Sequence, residues 1–174
     1  LLHLERAAPV CAQVVCDFGI PGDHWATAIE GRRFERVTAF IFDTAFQTQT
    51  RQSANSLGNL AATLEALPNL ERFFATGDLA MKPTTHVALR EVHLLGNPLS
   101  LPFIEALAAS TFPNLERLVV SLSSDAEPIA GARVATLLAK LRAPKLRELH
   151  LGAVDDVTEC IEALAKAGVP PRWK

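Results

Sequence analysis

One pattern of apolar and polar positions recurs along the chain. It reads apolar-x-x-apolar-x-apolar, and its copies begin at Phe34, Leu70, Leu89, Leu115 and Leu146, with a weaker copy at Cys11. The last two apolar positions of each copy alternate with other residues, which is typical of a strand with one buried face. The pattern therefore predicts a short strand at each copy.

The stretches between the copies carry apolar residues at helical spacing. These groups are Leu57, Leu60, Leu64 and Leu67; Leu101, Ile104 and Leu107; Val134, Leu137, Leu138 and Leu141; Val157, Ile161 and Leu164; and a shorter turn at Trp25 and Ile29. Asp156 and Glu159 have capping-box spacing at the start of the last group. Residues 75–88 are too short and too rich in Thr, Gly and Pro for a full helix, and residues 43–54 form a polar insert. The predicted unit is a strand, a loop, a helix and a return.

The copy that begins at Leu89 resembles the leucine-rich-repeat family. It reads Leu89-x-x-Val92-x-Leu94-x-x-Asn97-x-Leu99, which fits the family's leucine and asparagine template. The helical returns resemble the ribonuclease-inhibitor type, and residues 67–151 resemble bacterial members. The resemblance implies an α/β fold, namely a curved solenoid with parallel strands on the concave face and helices on the convex face. It implies about six irregular repeats in one domain over residues 1–174, starting near residues 11, 34, 70, 89, 115 and 146. It also implies that Asn97 turns inward and bonds backbone groups.

The residues that flank the buried strand positions should point outward onto the strand face. Apolar and aromatic side chains framed by arginines occur there, which is typical of a binding hot spot. The candidate binding residues are Arg36, Phe40, Arg72, Phe74, Glu91, His93, Leu95, Arg117, Val119, Glu148 and His150. The sequence therefore predicts a protein–protein interaction module that binds a protein partner through this face.

Other interpretations fit the same pattern. The chain would regulate a partner enzyme, such as a nuclease or a GTPase, if it acts as ribonuclease-inhibitor-type relatives do, and Arg51 in the insert is then the candidate residue. It would be a structural segment if it stacks within a larger multidomain protein. The outward apolar side chains would be covered by the insert or by a terminal segment if the sheet is buried on both faces, as parallel sheets normally are.

Composition and charge narrow the classes of function. The 174 residues carry a net charge of −2 with dispersed Lys and Arg, which argues against a nucleic-acid partner. No apolar run has the length of a membrane span. The cysteines Cys11, Cys16 and Cys160 lack zinc-finger spacing, which indicates reduced apolar residues in a cytoplasmic protein.

Nothing in the sequence nominates a catalytic centre. It contains no Gly-rich phosphate loop, nucleophile elbow or metalloprotease motif. His93 and His150 share a column but are two strands apart, about 10 Å, which is too far to share one zinc ion. His86 precedes a strand and is predicted to cap backbone groups, while Cys160 is predicted on the apolar side of the last helix beside Ile161. The sequence predicts no enzyme activity, no cofactor and no metal site.

Overall fold

The computed structural model describes residues 13–17, 29–43, 56–96, 99–121, 130–152 and 156–167. Their strands are β1 (Gln13–Asp17), β2 (Ala39–Asp43), β3 (Ser56–Asn59), β4 (Arg72–Ala80), β5 (Glu91–Gly96), β6 (Arg117–Ser121) and β7 (Glu148–Gly152). Their helices are α1 (Leu60–Ala66), α2 (Leu101–Ala108), α3 (Gly131–Leu138) and α4 (Val157–Lys166). Among these residues, no helix has the length and apolar character needed to cross a membrane.

The strands form a parallel sheet in which spatial order follows chain order. They lie side by side in the order β1, β2, β4, β5, β6 and β7, and the short β3 pairs with the second half of β4. All of these pairings are parallel. Parallel neighbours require a crossover connection, and helices supply it after β3, β5 and β6. The predicted α/β class with parallel strands is therefore confirmed.

One side of the sheet packs against the helices and forms the hydrophobic core. Burial alternates along β6, where the second and fourth residues are buried and their neighbours are half-buried. The buried positions include Val92, Leu94, Leu118 and Val120 on the strands and Phe103, Ile104, Leu107, Val134 and Leu138 on the helices. Because strand side chains alternate between faces, the opposite side of β5 and β6 stays partly accessible.

A recurrent turn precedes β4, β6 and β7. In each turn the first apolar residue accepts a backbone hydrogen bond from the N–H of the residue three positions later. The donor and acceptor residues are Leu70 and Leu67 (3.0 Å), Leu115 and Phe112 (3.2 Å), and Leu146 and Ala143 (3.0 Å). The side-chain amides of Asn69 and Asn114 donate at 2.7 Å to the carbonyls of Glu35 and Val87 in the preceding turns. These bonds give partners to backbone groups of the turns and join each turn to the next.

The strand frame predicted for the copy at Phe34 is wrong by three residues. In the structure Ala39 pairs with Arg72, and the N–H of Val37 donates to the carbonyl of Phe34 at 3.3 Å. Val37 therefore occupies the position that Leu70 occupies in the next turn. The strand begins after Val37 rather than at it, which reassigns the face of every residue in β2.

His86 occupies the corresponding apolar turn position ahead of β5, and its ring bonds backbone groups on both sides. Its Nδ1 accepts the N–H of Leu89 at 3.3 Å, which leaves Nε2–H to donate to the carbonyl of Leu67 at 2.9 Å. Burial lowers the pKa of His86, although the bond to Leu67 opposes this effect. The prediction that His86 caps backbone groups is confirmed.

The connection between β4 and β5 is extended. β4 continues to Ala80, and beyond it Thr85 pairs in parallel with Thr111, which in turn pairs with Arg142. No α-helix occurs between β4 and β5, a stretch that the structure describes throughout. The prediction that residues 75–88 are too short for a full helix is confirmed.

The helix α4 buries one of the two neighbouring residues predicted on its apolar side. Ile161, predicted on the apolar side, is 62% exposed, whereas Cys160 is 5% exposed. The prediction for Ile161 is therefore wrong, and the burial predicted for Cys160 is confirmed. Residues 160 and 161 lie three and four positions after residue 157, so helical spacing permits either of them on the buried side. The packing of α4 against α3 decides which one is buried.

The predicted cap of α4 is present, because the carboxylate of Asp156 accepts the N–H of Glu159 at 3.0 Å. Replacing this residue by alanine (Asp156→Ala) should lower the free energy of unfolding by about 1 kcal/mol, since an end-of-helix N–H loses its acceptor. Urea denaturation measures the loss. The matched control Asp156→Asn keeps a capping oxygen and should retain most of the stability. Equal losses in the two variants would contradict this role.

Candidate functional site

The side of the sheet away from the helices carries two rows of side chains in register, which together we name the open face. The charged row consists of Arg72, Glu91, Arg117 and Glu148 on β4 to β7. The central row consists of Ile41, Phe74, His93, Val119 and His150 on β2 and β4 to β7. Neighbours within a row are about 5 Å apart, because that is the spacing of hydrogen-bonded strands.

Glu91 connects the two rows. Its Oε1 accepts hydrogen bonds from Nε2 of His93 at 2.8 Å and from Nη1 of Arg117 at 3.1 Å. The hydrogen bond from His93 is the largest influence on the pKa of Glu91, and with the charges of His93 and Arg117 it lowers that pKa despite an opposing desolvation effect. Glu91 is therefore an ionised group whose Oε1 already has two donors.

Arg117 lies between two carboxylates. Besides its bond to Glu91, its Nε lies 3.2 Å from Oε2 of Glu148, close enough for an ion pair although the N–H is not aligned for a hydrogen bond. His150 lies 3.7 Å from the same oxygen. These half-exposed pairs contribute modestly to stability, since water screens them. Their clearer effect is to fix the orientations of the charged groups.

The first part of the central row borders a groove of about 220 Å³. Ile41, Phe74 and His93 line it together with Arg72 and Glu91 of the charged row. The rings of Phe74 and His93 are tilted by 37° with their centroids 5.9 Å apart. Both side chains are half-buried, so an aromatic surface is accessible between an arginine and a glutamate. This arrangement suits recognition of an apolar group beside a charge.

The structure brings together nine of the eleven predicted binding residues. These are Arg72, Phe74, Glu91, His93, Leu95, Arg117, Val119, Glu148 and His150, all on β4 to β7 and all at least partly accessible. His93 and His150 lie two strands apart, as predicted, because Val119 pairs with both. Asn97, predicted to turn inward, lies outside the described residues.

Two of the predicted positions are wrong. Phe40 is completely buried and stacks on Phe73, with ring centroids 5.8 Å apart and planes 10° from parallel. Arg36 is exposed but lies in the turn before β2, and Ala39 holds the register position beside Arg72. Both errors follow from the three-residue shift of the strand. The same shift places Ile41, which the pattern does not nominate, beside Phe74.

A larger hollow of about 680 Å³ lies beside α1, lined by Ile29 and by Glu30, Arg32, Arg33 and Glu65, among others. Its charged side chains are exposed and of both signs. Among its described lining residues there is no aromatic side chain. The groove on the open face therefore has the better combination of groups for specific recognition, although it is smaller.

The comparisons with known proteins bear on the fold. No family model matches the chain, and the search of curated proteins finds no match. Among solved structures, the chain is similar to the crystal structure of a protein from Bacteroides fragilis, with a TM-score of 0.66 and 19% sequence identity. The similarity covers 97% of this chain and 51% of that protein, so the chain spans about half the length of the solved structure. The likeness is one of fold alone.

Proposed function

We propose that the chain is a leucine-rich-repeat solenoid of the ribonuclease-inhibitor-like type and that its open face binds a protein partner. The turns support the repeat interpretation, since Val37, Leu70, Leu89, Leu115 and Leu146 occupy equivalent positions ahead of successive strands. In each case the residue that follows contributes its carbonyl or its N–H to the link with the neighbouring turn. Proteins of this architecture use the accessible strand face for recognition.

The observation that carries the proposal is the partly accessible central row on a parallel sheet. Parallel sheets are normally covered on both faces, yet Ile41, Phe74, His93 and Val119 of the central row retain accessible surface, as does Leu95 of β5. Apolar and aromatic groups rimmed by charges are the usual composition of an energetic hot spot in a protein interface. The proposal assigns the chain a binding role without catalysis, and it includes neither a cofactor nor a nucleic-acid partner.

Truncating the centre of the face should remove most of the affinity for the partner. A photoreactive amino acid at Val119 would identify the bound protein in the native host, and calorimetry would measure its affinity for the purified chain. We expect Phe74→Ala with His93→Ala to weaken binding by roughly 30-fold or more, because truncation of a hot-spot residue costs about 2 kcal/mol.

The matched control places the same number of alanines on the helix side. Glu105 and Arg133 are exposed on α2 and α3, so Glu105→Ala with Arg133→Ala should leave the affinity unchanged. Circular dichroism of both variants would establish that they are folded. Unchanged affinity in the strand-face variant, or cross-linking from Glu105 and not from Val119, would contradict the proposal.

A further inference from the structure

Arg72 is the charged-row residue that forms no ion pair with another residue of the row. Glu91 accepts hydrogen bonds from His93 and Arg117, and Glu148 is shared between Arg117 and His150. Arg72 is exposed and makes no ion pair with any described residue. A guanidinium therefore lies at the edge of the groove with its donors available.

The groove next to Arg72 has the size of a side-chain pocket. Its volume of about 220 Å³ is smaller than the range of about 300–1,000 Å³ that is usual for small-molecule sites. Ile41 and Phe74 provide an apolar lining of the same groove that Arg72 lines. An occupant that uses both features has a bulky apolar side chain and a carboxylate close to it.

We infer that the groove recognises an acidic–apolar segment of a partner protein, in which an Asp or Glu pairs with Arg72 while a neighbouring apolar side chain enters between Ile41 and Phe74. This inference rests on the proposed function and specifies its partner. The planar guanidinium can hold a carboxylate through two parallel hydrogen bonds, which fixes the orientation of the segment.

The charges of the face and of the chain select this occupant over two others. A nucleic acid requires clustered cations, whereas the row alternates in sign and places Glu91 beside the groove. Residues 44–55, which include all of the predicted insert except Asp43, contain one Arg and no Asp or Glu, so they supply no anion for Arg72. A partner with a carboxylate satisfies both the charge and the apolar lining.

A random peptide library selected on the purified chain, followed by affinity measurements on the selected peptides, tests the inference. We expect enrichment of peptides with Asp or Glu next to a large apolar residue. Arg72→Glu should weaken their binding by about tenfold or more, and Lys in place of the peptide's acidic residue should restore it. The matched control Arg147→Glu changes the net charge equally at an exposed site before β7 and should leave the affinity unchanged.

The outcomes separate this inference from the proposed function. Peptides that require Phe74 but show no acidic preference and no response to Arg72→Glu would overturn the inference and leave the binding face in place. Two results together would contradict both the inference and the proposed function: no selected peptide requires Phe74, and truncation of the open face leaves the partner affinity unchanged. Tighter peptide binding after replacement of residues 44–55 by a Gly-Ser linker would make the insert the occupant and would overturn the inference. If the chain self-associates and Arg72→Glu abolishes this association, the occupant is a second copy of the chain and the inference is overturned.

Discussion

Replacing Phe40 by alanine should lower the free energy of unfolding by about 3–5 kcal/mol, the usual cost of truncating a fully buried aromatic residue. The side chain has no exposed surface and stacks on Phe73 at 5.8 Å. Its removal leaves a cavity between two neighbouring strands and deletes the ring contact. Urea or guanidinium denaturation of the folded chain measures this loss.

The matched control is Phe74→Ala, which removes the same ring from the opposite face of the sheet. Phe74 is half-buried on the open face, so we expect a loss of about 1 kcal/mol. The two variants should also differ in function, since the proposal needs Phe74 and not Phe40 for binding. If Phe40→Ala proved as mild as Phe74→Ala, the register of β2 in the structure would be incorrect and Phe40 would return to the outward face.

The difference between Phe40 and Phe74 depends on the frame of β2, which the sequence pattern predicts incorrectly. Residues 34–42 contain two overlapping copies of the same pattern, one that begins at Phe34 and one that begins at Val37. The first copy also repeats the Glu-Arg pair found after Leu70 and Leu115, which favours the wrong frame. Local spacing does not distinguish the two, because both place apolar residues at the required positions. The pairing of Ala39 with Arg72 on the neighbouring strand decides it.

The frames predicted for the copies at Leu70, Leu89, Leu115 and Leu146 are correct, because each of these stretches fits the pattern in a single frame. The copies at Leu70, Leu89, Leu115 and Leu146 lead into β4 to β7, and the residues two positions later lie opposite one another. Alignment of these copies therefore predicts the alternating charges of Arg72, Glu91, Arg117 and Glu148. The alignment does not predict that Arg117 pairs with two carboxylates of the charged row while Arg72 pairs with neither, because these contacts depend on side-chain orientation.

Replacing His86 by alanine should cost about 2–3 kcal/mol at pH 7.5, because the variant leaves a cavity in place of a buried ring and loses the bond from the N–H of Leu89 to Nδ1. His86 is 5% exposed, so water cannot readily substitute for the lost bond. The carbonyl of Leu67 keeps the backbone N–H of Leu70 as a donor at 3.0 Å, which limits the loss. Denaturant unfolding at this pH measures the difference.

The same residue should make stability depend on pH in a defined direction. The pKa of His86 in the folded chain is below its ordinary value of 6.5. Well above pH 6.5 the ring is neutral in both the folded and unfolded states, so His86 adds no pH dependence there. As the pH falls below 6.5, the unfolded state takes up a proton that the folded state resists, and stability declines until the pH reaches the folded pKa. The slope in that window should be positive and cannot exceed about 1.4 kcal/mol per pH unit, the limit for one proton.

His86→Phe is the variant that isolates this effect, since Phe112 occupies the equivalent position ahead of β6. There the N–H of Leu115 donates to the carbonyl of Phe112 at 3.2 Å, and the N–H of Leu89 can bond the carbonyl of residue 86 in the same way. Because phenylalanine also fills the space of the lost ring, we expect His86→Phe to retain more stability than His86→Ala. It should also lose the His86 contribution to the slope below pH 6.5. Unfolding curves recorded between pH 5 and 8 would show this as a flatter profile than that of the parent chain. An unchanged slope in His86→Phe would mean that another group carries the pH dependence, because phenylalanine has no proton to bind.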